Sequence, residues 1–217
     1  MEIEMKKTLF AIAATLLVMS ALAAKEKSSV AETNPTPEQI EANYTRSIEG
    51  RAADILKVIE LSDTNRSAKV HDVIITQYRA LRAWHDANDS KLKAARADTN
   101  AVAQIRGSLK SLHDEFIAKL SASLTPGQVE KVKDRMTYGK VQFTYAGYLA
   151  AYPDLADQHK QKILELLKEA REQAMDGGSA EEKTAIFQKC KGKINNYLSQ
   201  QGIHPAKDKA AKPPVDK

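Results

Sequence analysis

Four of the seven tyrosines, Tyr138, Tyr145, Tyr148 and Tyr152, fall within 15 residues of one another. The stretch from Pro126 to Ala151 reads as one helix, and at about 100° per residue spacings of seven set Tyr138, Tyr145 and Tyr152 nearly in line. Tyr148 lies beside that row, and Asp134, next to Lys133, extends it toward the N-terminus. Val129, Val132, Met136 and Phe143 take the opposite side, with Gly139 and Gly147, where a second helix can approach closely. Such rings can stack on the apolar faces of sugars while their hydroxyls and Asp134 hydrogen-bond sugar hydroxyls. The other reading is a helix buried on both faces, with the rings in the core.

Two further groups carry polar chemistry. Arg82-Ala83-Trp84-His85-Asp86, with Asn88 and Asp89, sets the only tryptophan beside a histidine and short polar groups that would border a cleft. Near the C-terminus Lys189, Lys193 and Asn196 share a polar flank beside an apolar stripe that includes Tyr197. Asn195-Asn196 inside a helix is poor in propensity, which suggests that the amides have partners. The five histidines make no close ligand spacing with glutamate or with one another, so a zinc site is not expected. There is no nucleophile elbow, phosphate-binding loop or dinucleotide fingerprint, and no cofactor is expected. Carboxylates are plentiful, but sequence alone cannot pair two of them across a cleft as glycoside hydrolysis requires.

The elements that must hold these groups are helices. Apolar residues recur at three and four and almost nowhere at two. Thr36-Pro37-Glu38-Gln39 and Thr125-Pro126-Gly127-Gln128 each combine a threonine cap, a proline in the first turn and a glutamine able to reach back. Ser179-Ala180-Glu181-Glu182 is a third capping box. Five or six helices follow: about 37–60, from 64 through Trp84, about 100–121, 126–151, about 157–175, and a last one ended by Gly202. The fold expected is all-α, a single helical bundle over residues 36–203, after a linker at 25–35.

Residues 6–24 have the parts of a secretory signal: Lys6 and Lys7, an apolar run from Thr8 to Leu22, and the small-residue site Ala21-Leu22-Ala23. The expected boundary of that signal is residue 24, and the destination is periplasmic or secreted. The single cysteine, Cys190, is far from the signal, so no lipid-anchoring cysteine follows it and no internal disulfide can form. Cys190 falls in an apolar helical stripe, which points to a buried, inert thiol. Residues 204–217, rich in lysine and proline, are expected to be disordered. The net charge of +5 is modest for 217 residues and gives no reason to expect nucleic-acid binding.

The words Val132-Lys133-Asp134, Met136-Thr137-Tyr138, Thr144-Tyr145, Glu169-Ala170-Arg171-Glu172 and Lys191-Gly192-Lys193-Ile194-Asn195-Asn196-Tyr197, with Gln77 to Asp86, resemble a known family. It is domain-of-unknown-function family 3826, secreted bacterial proteins for which sugar binding has been suggested. The resemblance covers about residues 51–202, with Arg135 where a small residue is expected and Cys190 where an aromatic is. It implies a poly- or oligosaccharide ligand, and protein partners within a glycan-utilisation system. It names no binding residue. The alternatives to a carbohydrate-binding protein are a helical periplasmic chaperone or adaptor, for which Leu124-Thr125-Pro126-Gly127-Gln128 is a weak signal, and a polysaccharide lyase or hydrolase.

Overall fold

The computed structural model of the protein describes residues 34–206. The signal expected at 1–24, nearly all of the linker expected at 25–35 and the tail from residue 207 lie outside the described residues. By its internal contacts the chain divides after Ala42. The described part of the N-terminal unit is the start of the first helix, where the Thr36 N–H donates to Gln39 Oε1 at 2.8 Å and the Gln39 N–H to Thr36 Oγ1 at 3.3 Å. The reciprocal cap read from the sequence is there.

The described residues are all-α, with seven helices rather than five or six: α1 (Pro37–Ile59), α2 (Thr64–Ala94), α3 (Thr99–Ser121), α4 (Pro126–Met136), α5 (Lys140–Ala151), α6 (Asp157–Met175) and α7 (Ala180–Gln200). The capping box at Thr125 forms as the sequence suggests. Ser179 caps α7 by accepting from the Glu182 N–H, but the Glu182 carboxylate takes the Gly178 N–H instead of closing the box. Asp63 and Asp98 cap α2 and α3.

One expectation is overturned. The helix read from Pro126 to Ala151 is two helices, broken at Thr137-Tyr138-Gly139. Tyr138 (φ 59°) and Gly139 (φ 64°) are both left-handed, which stops α4 and restarts α5 on a new axis. The Gly139 N–H returns to the Asp134 carbonyl at 2.8 Å, and the Thr137 hydroxyl donates to the Lys133 carbonyl at 2.9 Å. Spacings of seven across that break no longer share a face.

The larger unit has two apolar cores. One gathers Ile48, Ile55, Ile74, Phe116, Leu120, Val132 and Met136 from α1–α4, joined by Met175 from the end of α6. The other gathers Val141, Tyr148, Ile163, Leu167, Phe187, Ile194 and Leu198 from α5–α7. Burying each such large side chain contributes about 1.5–3 kcal/mol. Lys183, on α7, reaches residues of the first core: its Nζ donates to the Met136 carbonyl at 3.1 Å and to the Met175 carbonyl at 3.4 Å, at the ends of α4 and α6. A cation suits two helix C-termini, but burial pushes its pKa down to about 8. Among the described residues no helix is long and apolar enough to cross a membrane.

Candidate functional site

Helices α2, α3, α6 and α7 border a cleft of about 580 Å³. Its apolar lining is Leu92, Leu109, Leu166, Ala170, Ala185, Ile186 and Cys190. Its polar lining includes Trp84, His85, His113, Glu169, Glu172, Gln173, Asp176, Lys189 and Lys193. The Trp84 ring is pinned: its Nε1–H donates to Ser108 Oγ at 2.8 Å, and its ring meets His85 edge-on, with centroids 5.0 Å apart and an interplanar angle of 83°. Cys190, buried and free, has its thiol 3.2 Å from the Leu166 carbonyl, and burial raises its pKa. The burial expected from the sequence for this thiol is found.

A polar network runs along the cleft. His113 sits between two carboxylates, Nδ1 3.0 Å from Asp176 Oδ2 and Nε2 3.5 Å from Glu172 Oε2. Asp176 and Glu172 together outweigh burial and raise the His113 pKa to about 9, so the ring is cationic at neutral pH. Burial works against ionisation of Glu172, yet His113, Lys133 and Arg171 hold it down at about 2. His85 donates from Nε2 to the Asp176 carbonyl at 2.7 Å and from Nδ1 to Asp89 at 2.9 Å. Burial opposes its charge, but those two acceptors prevail and its pKa is raised. Gly178 makes room for this ring, since a Cβ there would lie 2.8 Å from His85 Cγ. Both histidines therefore have both ring nitrogens engaged, which leaves neither imidazole nitrogen free to act as a base.

Behind the cleft the network continues through Arg171, which is 3 % exposed. Its guanidinium donates to Asp134 and Glu130, both at 2.7 Å, and to Glu172 at 3.1 Å. Lys133 Nζ lies 2.8 Å from Glu172. Among the described residues no group of histidine, cysteine, aspartate or glutamate could hold a metal ion.

The residues singled out from the sequence fall in different places. Trp84, His85 and Lys193 line the cleft, whereas Asp86 is exposed on α2 with Arg82 3.9 Å away. Lys133 and Asp134 are committed to Glu172 and Arg171. The tyrosine row does not form. Tyr138 is 50 % exposed at the break, Tyr145 packs against the second core, and Tyr148 is buried. The Tyr148 hydroxyl donates to Asn195 Oδ1 at 2.8 Å, so the amide has the partner its poor helix propensity suggested. Tyr197 shares a 2.8 Å hydrogen bond with His159, and Asn196 is exposed on α7. Phe143, expected on the core face, is 81 % exposed.

Sequence reasoning gave no role to His113, Asp176 or Lys183. Arg171 and Glu172 stood within one of the words that carry the family resemblance, which was the available signal.

These features define an all-α protein with an open, polar-walled cleft between two helix pairs. The chain belongs to the family described as protein of unknown function (DUF3826), whose model matches residues 45–211. No curated protein matches it by sequence.

Proposed function

We propose that this is an extracytoplasmic carbohydrate-binding protein, accessory to polysaccharide breakdown, that holds a saccharide in the cleft between α2, α3, α6 and α7. The observation that carries this is Trp84, an indole locked by Ser108 and His85 at the wall of a cleft of about 580 Å³. A ring fixed before the ligand arrives loses little freedom on binding. The volume falls within the range of about 300–1,000 Å³ usual for small-molecule sites. Glu169, Gln173 and Lys193 offer acceptors and donors to hydroxyls around an apolar lining. The signal-like segment at 6–24 supports a periplasmic or secreted location, where polymeric sugars are met.

The test is a titration of the mature protein with neutral and acidic oligosaccharides, followed by Trp84 emission and by melting. One class should give a saturable emission change and a raised melting temperature. Ala185→Phe, at an exposed position in the cleft lining, should abolish the response while leaving the apo melting temperature within a degree or two. Undiminished binding by Ala185→Phe would place the ligand elsewhere.

A second reading, a protein-interaction adaptor, is favoured by α5. Phe143, Ala146, Gly147 and Ala150 are all exposed, and Phe143 is the most exposed large apolar residue among the described residues. Retention of a bound partner by Phe143→Ser would count against it.

A further inference from the structure

The charges around the cleft differ sharply in how far they are already used. Glu172 is taken up by Lys133, Arg171 and His113, and Asp176 by His113. Asp114 pairs with Lys110, and the Glu182 carboxylate accepts the Gly178 N–H at 2.8 Å. Among the charged side chains that line the cleft, those in no hydrogen bond or ion pair are Arg106 from α3, Lys189 and Lys193 from α7, and the carboxylate Glu169, while Glu182 keeps its charge because its partner is a neutral N–H. Lys189 and Lys193 stand one turn apart, about 6 Å along the helix. Arg106 adds a third cation from a different helix lining the same cleft. The charge of Lys193 is felt at the Cys190 thiol, whose pKa it draws down against the dominant effect of burial.

We infer that the ligand of this cleft is an anionic saccharide, whose carboxylate or sulfate groups pair with Arg106, Lys189 and Lys193 while a sugar ring packs near Trp84. This rests on the cleft-binding reading above and narrows it to one chemical class. A neutral sugar would leave three cations lining the cleft with only Glu169 and Glu182 to balance them. An acidic sugar supplies the missing partners, and charge-assisted hydrogen bonds to arginine and lysine are the stronger kind. Glu169 and Gln173 then serve the ligand's hydroxyls.

The experiment compares oligogalacturonate and alginate oligomers (carboxylated), chondroitin sulfate oligosaccharides (sulfated), and neutral xylo-, cello- and manno-oligosaccharides. Binding is measured by calorimetry on the wild type, on K189Q/K193Q and on a control, R66Q/K69Q, that removes the same charge near the start of α2. A carboxylated or sulfated ligand should bind at least tenfold more tightly than any neutral one and weaken as salt is raised. K189Q/K193Q should lose about tenfold or more in affinity, as expected for hydrogen bonds to charged groups, and R66Q/K69Q should match the wild type. Chondroitin sulfate carries uronate carboxylates as well, so a response to it without one to oligogalacturonate or alginate identifies sulfate as the anion, and a response to oligogalacturonate or alginate identifies the carboxylate. Equal or tighter binding of a neutral oligosaccharide that Ala185→Phe blocks would overturn this inference and leave the cleft reading standing. Equal losses in the two charge variants would show attraction to overall charge and also overturn it. No binding by any of the six ligand types would overturn both.

Discussion

The residue whose chemistry is most sharply set is His113, a cation between Asp176 and Glu172 on the wall of the cleft. Its folded pKa of about 9 stands above the 6.5 of a free histidine. A raised pKa means that the folded state holds the proton more tightly. The stabilisation is therefore complete below pH 6.5, declines as pH rises from there, and is gone once pH has passed through about 9. The melting-temperature difference between wild type and His113→Gln should be large near pH 6 and should shrink steadily to pH 9.5. A difference that stays constant across that window would mean that His113 is not held as a cation. Glu172 acts at the other extreme: held down at about 2, its contribution is present above the ordinary glutamate range and fades only as pH falls toward 2. Little of this was legible in the sequence. His113 lies 63 residues from Asp176, and no local spacing records such a meeting. Trp84, His85 and Lys193 were legible because a lone indole beside a histidine, and a basic flank beside an apolar stripe, are local patterns.

At the scale of elements, the consequential feature is the break between α4 and α5. The sequence around it, Met136-Thr137-Tyr138-Gly139-Lys140, contains one glycine and no proline, and a glycine inside a helical pattern is equally a place where another helix comes close. The structure resolves this in favour of a left-handed step, with nothing within 4 Å of a Cβ built at Gly139. The strain of substitution there is thus backbone strain alone. Gly139→Ala should cost about 1–2 kcal/mol of stability, and Tyr138→Asn should raise stability, because asparagine tolerates the left-handed region better than tyrosine does. Urea unfolding followed by circular dichroism checks both. If Gly139→Ala were instead stabilising, as in a continuous helix interior, the break would be refuted. The same step explains why the tyrosine row failed. It shifts the phase of α5 so that Tyr148 is buried and Phe143 turns to solvent. The starts of α2, α4 and α7 were readable because their capping residues, Asp63, Thr125 and Ser179, act within three residues of their targets.

At the scale of the molecule, the two cores carry the fold and the polar network lies where α4, α6 and the cleft-lining helices meet. Arg171 is held there by Asp134, Glu130 and Glu172, and Glu172 in turn holds His113. Family membership and the all-α class follow from patterns spread along the chain, whereas the cleft depends on α2 and α3 meeting α6 and α7 from far away in sequence. The central claim is that this cleft is where a saccharide binds. The most direct measurement is two-dimensional NMR of the ¹⁵N-labelled protein during titration with oligogalacturonate and with chondroitin sulfate oligosaccharides. One of them should shift the Trp84 indole N–H and the amides around Arg106, Asp176 and Lys189 to Lys193, while those around Phe143 in α5 stay in place. Shifts centred on α5, or no shift at the Trp84 indole with either ligand, would contradict that claim.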